Sequence, residues 1–338
     1  MRSKAASASI SVKSNQNNLK ADSVPPGEGR NHKTQKPRQA PMTLELFIQN
    51  LFNALTVGSL YALIAIGYTM VYGILRFINF AHGEVFMVGA YLIFFGVIAG
   101  QMPWPLAALT AIASASLLGI LVERAAYRPL REAPRISALI SAIGVSFLLQ
   151  NLGLVIFTGI PRPAVQPAWI VDPIILGNIR ILPLSFLAPL VTLVLVLGLL
   201  WIVYRTRPGL AMRAISRDIE TTRLLGVSVD RIIALTFGLG SALAAAAGIM
   251  WAMRYPQIHP FMGVFPGFKA FIAAVVGGIG SIQGAVLGGL ILGTVEIMAV
   301  AFNPTLSGYR DAFAFILLIV ILLFKPTGLM GVKQEDKI

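Results

Sequence analysis

INFAHGE, residues Ile78–Glu84, sets an amide, an imidazole and a carboxylate between two long apolar runs. Ahead of it Thr56–Leu75 spans twenty residues without a charge, and behind it Val85–Gly100 is again uncharged. A polar break between two such spans predicts a turn or a discontinuous helix at a membrane.

The composition agrees. The 338 residues are 56% hydrophobic and 12% charged, with a mean hydropathy of +0.78, against roughly 25% charge in an average soluble domain. The expected fold is an all-α polytopic membrane protein of about eight to nine transmembrane or re-entrant helices in one bundle. The absence of cysteine excludes disulfides and thiolate metal sites, and His32, His82 and His259 are too scattered to suggest a metal cluster, so no metal and no cofactor is expected.

A net charge of +13 invites a nucleic-acid reading, but the charge sits in loops and one tail. Residues 1–41 carry eight Lys or Arg against Asp22 and Glu28, and the remaining excess suits cytoplasmic loops under the positive-inside rule. That tail is rich in Ser, Asn, Gln and Pro, with no apolar h-region. It reads as a disordered basic segment or a mis-assigned start. The hydrophobic, membrane-spanning domain covers 42–331, followed by a short cytoplasmic tail, 332–338.

The spans expected are Thr56–Leu75, Val85–Gly100, Trp104–Val122, Ile136–Thr158, Ile181–Tyr204, Ile232–Met253, Phe268–Gly280, Gly284–Phe302 and Ala312–Phe324. Leu44–Leu55 reads as an interfacial approach to the first. Arg124, Arg128, Arg131 and Arg135 share one short loop, and six further arginines lie in or beside another between Arg205 and Arg231. Both loops should be cytoplasmic. Loops 159–180, 254–267 and 303–311 and residue Met42 then fall outside. Small residues recur at four-residue spacing as Gly240, Ala244, Gly248; Gly280, Gly284, Gly288; and Ala285, Gly289, Gly293, a pattern that lets helix backbones approach closely.

The glycine-rich stretch GGIGSIQG (Gly277–Gly284) lacks the Lys and Ser/Thr of a P-loop, so ATP hydrolysis by this chain is not expected. It reads as a second break, and Gly277, Gly278, Gly280 and Gly284 join Asn79, His82, Gly83 and Glu84 as candidate gating positions, since paired interrupted segments point to a translocation site. The loop RTRPGLAMRAISRDIETTRLLGVSVD (Arg205–Asp230) predicts a helix stop at Pro208 and Gly209. A short amphipathic helix then follows, capped by Asp218, with Ile219, Thr222 and Leu225 on one face and Gly226 at its end. It is either a grip for a partner protein or a solvated loop that sets topology.

Four runs, YALIAIGYTMVYGILRFINFAHGE (Tyr61–Glu84), ALISAIGVSFLLQN (Ala138–Asn151), LLGVSVDRIIALTF and KAFIAAVVGGIGSIQGAVLGGLILG (Lys269–Gly293), resemble the LivH-type permease subunits of branched-chain amino acid ABC importers. The likeness extends from Met42 to about Gly331. It implies pairing with a second related permease subunit, two cytoplasmic ATP-binding subunits and a periplasmic substrate-binding protein, in lipid, at a bacterial inner membrane and without nucleic acid. It also implies that Asp218–Gly226 is the segment that couples to the ATPase. Thr222 departs from the Ala more common there, at a helix-propensity cost of only tenths of a kcal/mol.

Intramembrane polar groups are costly and face the interior. Ser137, Ser141, Gln150, Asn151 and Glu296 are candidate path residues, and Glu296 reads first as a carboxylate bonded to a neighbouring helix. Lys269 is expected to begin a span at the outer interface and to snorkel. His82 and Glu84 have neither nucleophile nor metal beside them, so catalysis is not expected. The function expected is import of amino acids, foremost Leu, Ile and Val. The alternatives are the same architecture importing urea or short amides, or an ion-coupled secondary transporter using Glu84 and Glu296. The orientation places INFAHGE near the inner gate, capping two helices and holding a hinge, with Glu84 serving assembly or gating.

Overall fold

Apolar periodicity in this chain is nearly continuous, so helices are delimited by their caps and breaks rather than by one greasy face. A computed structural model describes residues 42–331; the expectations for 1–41 and for 332–338 lie outside the described residues. The helices are α1 (Leu44–Leu75), α2 (His82–Ile98), α3 (Trp104–Val122), α4 (Arg135–Phe157), the single turn α5 (Ala168–Val171), α6 (Leu184–Arg205), α7 (Arg207–Arg217), α8 (Ile219–Leu224), α9 (Val229–Arg254), α10 (Val264–Gly277), α11 (Ile282–Phe302) and α12 (Arg310–Phe324). Two small antiparallel ribbons join loops: β1 (Arg162–Pro163) pairs with β4 (Gln257–Ile258), and β2 (Ile174–Leu176) with β3 (Ile179–Ile181).

Seven helical segments are long and apolar enough to cross a membrane, and α2 and α10 are shorter apolar helices. Nine apolar helices among the described residues match the expected all-α polytopic architecture. The structure corrects several boundaries. Leu44–Leu55 is no separate interfacial piece, because Thr43 caps one uninterrupted 32-residue helix, about 48 Å long at 1.5 Å per residue. Pro208 and Gly209 do not stop a helix. They open α7, where Thr206 accepts from the Gly209 N–H and Pro sits in the first turn, the position it tolerates.

The two ends of the bundle are chemically distinct. At one end, Gln49 donates to the Arg180 carbonyl, Asn178 to Glu45, and β1 meets β4. At the other, Arg76 donates to the Ser216 carbonyl, and Arg128 and Arg131 both bind Asp230, Arg131 also reaching Glu123. The arginine loops thus gather at one end, as the charge map anticipates, and the loops around β1 and β4 meet at the other. Beyond Val122, α3 continues through a π turn, Glu123–Tyr127, and a 3-10 turn, Arg128–Leu130. This wider winding carries the carboxylate of Glu123 inward, where it is 1% exposed.

The core forms around α1, buried along nearly its whole length after Ala54. Without water to drive association, close backbone contact supplies dispersion instead. A Cβ added at Gly289 would lie 2.5 Å from the Ala62 nitrogen, and one at Gly293 2.4 Å from Gly58. Gly288 abuts the Ala273 carbonyl of α10 in the same way, and Gly248 the Phe86 carbonyl of α2. Gly280 departs from the expected packing stripe: it has open space around it and a φ of +98°, and so forms the turn between α10 and α11.

Gly289→Leu should therefore lower the melting temperature of the purified protein in detergent, since overpacking costs about 1–3 kcal/mol and the obstacle here is backbone. Gly144→Ala on α4, which meets nothing within 4 Å, should leave the melt unchanged or raise it slightly.

Candidate translocation site

Leu75 ends α1, Arg76 takes a left-handed conformation with φ 58°, and residues 77–81 turn back into the bundle. The return is deep. A Cβ added at Gly67 would lie 2.2 Å from Nε2 of His82, so His82 stands beside a residue eight positions, about 12 Å, before the end of α1. Its ring packs edge-on against Tyr68 with centroids 4.8 Å apart. Asn79 accepts a 2.6 Å hydrogen bond from the Tyr127 hydroxyl, which ties the break to the π turn.

The expectation that this segment caps helices with its side chains is not met. Arg76 is the cap residue of α1, α2 has no side-chain cap, and His82 and Glu84 belong to the first turn of α2. The Asn79 and Ala81 carbonyls take the N–H groups of His82 and Glu84, and the helix start still carries a partial positive charge. Glu84, in that first turn and 2% exposed, supplies the opposite sign.

A second helix start lies against the first. Helix α10 has 14 residues, about 21 Å, short of the ~30 Å hydrocarbon core. Its far end, Gly277, is held in the turn at the arginine-rich end, where Leu329 and Met330 donate to Val276 and Gly277. Its N-terminus therefore lies within the bundle. A Cβ at Gly83 would come 2.7 Å from the Gly263 carbonyl, and one at Gly263 2.1 Å from that of Gly83. The partner of INFAHGE in space is thus HPFMGVFPG (His259–Gly267), which was expected to be an outer loop. GGIGSIQG approaches INFAHGE where Ile279 and Ile78 line the same small pocket.

Beside these two helix starts is a cavity of about 660 Å³ between α2, α4 and α10. Phe80, Ile143, Phe147, Phe265 and Phe268 give it apolar walls, while Glu84, Ser146, Gln150 and His259 bring polar groups. Oε1 of Glu84 accepts from Gln150 Nε2 at 2.7 Å and from Ser146 Oγ at 3.2 Å.

Of the five path residues read from sequence, only Gln150 lines this cavity. Ser141 donates to the Ala126 carbonyl, Ser137 is half-buried in the first turn of α4, and Asn151 is exposed and bonds its own helix at Phe147. Glu296 lies elsewhere, accepting from Tyr61 at 2.9 Å and from Lys269 at 3.0 Å. Lys269 does not snorkel: it is 8% exposed on α10 and also pairs with Asp311 at 2.7 Å. The cluster joins α1, α10, α11 and α12, which suits the reading of Glu296 as a carboxylate bonded between helices. Ser146, His259 and the phenylalanines of HPFMGVFPG carried no sequence signal, because apolar residues next to a Pro and Gly look like any interfacial loop.

In the arginine-rich segment Asp218 caps α8, accepting from the Thr221 N–H at 3.1 Å. The expected single face does not form. Thr222 is buried at 4%, whereas Leu224 and Leu225 are 84% and 78% exposed, and Leu225 follows the six-residue helix as its cap. Gly226, with φ +81°, turns the chain toward α9.

A bundle of apolar helices with broken helices meeting at an internal, mostly apolar cavity defines a membrane permease. The chain belongs to the family described as branched-chain amino acid transport system / permease component, whose model matches residues 50–322. It is thus a multi-pass membrane protein and a transport component, working with the other parts of such a system. It is 45% identical over 305 residues to the high-affinity branched-chain amino acid transport system permease protein LivH of Escherichia coli (strain K12), covering 86% of this chain and 98% of that protein. BraD, the corresponding permease protein of Pseudomonas aeruginosa PAO1, is 45% identical over 307 residues, with the same coverage of both chains. The ribose import permease protein RbsC of Escherichia coli (strain K12) is 29% identical over 255 residues, 73% of this chain and 76% of that protein.

Removing one partner of a buried ion pair costs about 3–5 kcal/mol, whereas replacing both by apolar residues is often neutral. Lys269→Met should therefore destabilise the protein markedly, and Lys269→Met with Glu296→Leu should recover much of the loss. Melting temperatures of the three proteins, measured in the same detergent, check this.

Proposed function

We propose that this chain is the LivH-type subunit of an ABC importer that moves leucine, isoleucine and valine across the bacterial inner membrane. It works with a second related permease subunit, two cytoplasmic ATPase subunits that hydrolyse the ATP, and a periplasmic binding protein. The observation that carries the reading is the cavity. Its aromatic and aliphatic walls suit a branched apolar side chain, its few polar groups stand where two helices begin, and the relatives matching most of the chain are named for branched-chain amino acids. The ribose permease among the relatives makes cargo a property of these walls rather than of the fold. The cavity is the passage, and the breaks at Asn79–Glu84 and Gly277–Gly284 are the parts that move.

The exposed Leu224 and Leu225 on the capped turn after Asp218 are the grip for the ATPase. Ile219, also exposed, extends that surface, Thr222 seats the turn against the bundle, and Gly226 sets its exit angle. Glu296 has its donors supplied by Tyr61 and Lys269, which favours a structural duty over ion coupling.

In proteoliposomes holding the whole complex, labelled leucine should accumulate only with ATP and binding protein, with isoleucine and valine competing and urea not. Uptake of urea, or leucine uptake driven by an ion gradient without ATP, would overturn the reading. Gly226→Val forces a Cβ into the left-handed region at ~1–2 kcal/mol, enough to reduce coupled uptake roughly ten-fold. The assembled complex should still hydrolyse ATP, and normal uptake by this variant would remove Gly226 from the coupling segment.

A further inference from the structure

The end of α3 and the link from α8 to α9 enclose a second cavity, of about 440 Å³, at the arginine-rich end. Arg124, Arg128, Arg223 and Arg231 line it together with Glu123 and Asp230. Both carboxylates are already paired. Asp230 binds Arg128 and Arg131, and Arg131 also binds Glu123. The side chains of Arg124, Arg223 and Arg231 make no ion pair or hydrogen bond with the described residues, so three guanidinium groups converge on one space with no unpaired carboxylate to meet them.

Like charges gathered in this way repel unless an anion joins them, and the guanidinium fork matches phosphate oxygens in pairs. What surrounds the cavity says which phosphate. On α3, Leu117 and Leu121 stand two turns and one turn before Arg124, and on α9 Leu235 stands one turn after Arg231; all three leucines are exposed. The two helices are tightly seamed, since a Cβ at Gly119 would meet Ser241 and one at Gly238 would meet Ile120. The groove along that seam is therefore apolar where it faces the hydrocarbon and basic where it ends, with the basic end cytoplasmic by the positive-inside rule. The first part suits an acyl chain and the second a charged headgroup.

We infer that this cavity binds the phosphate of an anionic phospholipid, whose acyl chain lies along the seam between α3 and α9. Basic pockets between helix ends at the cytoplasmic surface suit such headgroups. Arg223 belongs to α8, Arg231 to α9 and Arg124 to the π turn after α3, so one phosphate ties three elements together across the turn at Gly226. A zwitterionic headgroup carries its own ammonium, which would meet these arginines as a like charge.

Arginines that only set topology and lie in water predict no distinction between this cavity and any other arginine at the same end. Arg205 and Arg217, exposed at that end and outside the cavity, provide the comparison. The chain has no cysteine, so Leu121→Cys carries a single bimane reporter at the seam, in the whole complex with partner subunits free of accessible thiols. The complex is reconstituted in phosphatidylcholine bilayers, and quenching is titrated with brominated phosphatidylglycerol or brominated phosphatidylcholine. Phosphatidylglycerol should be preferred at least roughly ten-fold.

The pair R124Q/R231Q should bring that preference close to unity and R223Q alone should lower it partway, whereas R205Q/R217Q, the same loss of charge elsewhere, should leave it intact. Equal loss in both pairs would reduce the effect to general surface charge and overturn the site. Loss of the preference to soluble glycerol phosphate at matched ionic strength would assign the cavity to a free phosphate and overturn the lipid. Absence of any preference in the complex would overturn it too, and a preference that emerges only once the ATPase subunits are stripped away would give the cavity to that docking surface instead. The readout is lipid binding and not transport, so it stands apart from the permease reading.

Discussion

Two helices begin in the interior of this bundle, and the backbones at Gly83 and Gly263 touch so closely that neither position admits a side chain. That contact fixes much of what surrounds it. Uncapped helix starts in a low-dielectric interior demand polar partners, so the polar side chains of the region collect there: Glu84 on α2, Ser146 and Gln150 on α4, and Asn79 held by Tyr127. Backbone proximity also sets the cavity's shape, since α2 and α10 diverge from a shared origin and leave space between themselves and α4.

Around this centre the molecule divides into a tightly seated part and a looser one. Helix α1 is clasped by α11 through Gly289 and Gly293, and the Tyr61, Glu296, Lys269, Asp311 cluster pins α10, α11 and α12 to it. Helix α4 is different, with Ile136, Ile140, Phe147, Val155 and Ile156 all exposed. Its polar links run to Glu84 and to the Ala126 carbonyl. A helix with so few polar links to the rest of the bundle is the wall of the cavity best placed to shift.

The span architecture was legible because membrane crossing imposes a coarse rule: about twenty apolar residues, interrupted by charge, with arginine kept to one end. The polar cluster of INFAHGE was legible for the same reason, since polarity is conspicuous in an apolar run. Its depth was not, because nothing local tells whether a break lies at the surface or is folded back beside Gly67. The entire α10 start was missed. HPFMGVFPG has the Pro and Gly of a surface loop, and only its packing on Gly83 reveals that the chain descends there. Lys269 was misplaced by one turn of reasoning: a lone lysine near a helix end normally snorkels, but Glu296 and Asp311 wait for it on helices distant in sequence. Helix α7 was hidden because Pro208 was read as a stop, although Pro in a first turn is a start.

The most direct measurement is a cryo-microscopy map of the whole complex trapped in turnover with leucine and ATP. Cargo density should lie in the cavity between α2, α4 and α10, with the branched side chain against Phe147 and Phe268. Cargo resolved on another path would contradict the assignment of this cavity as the passage.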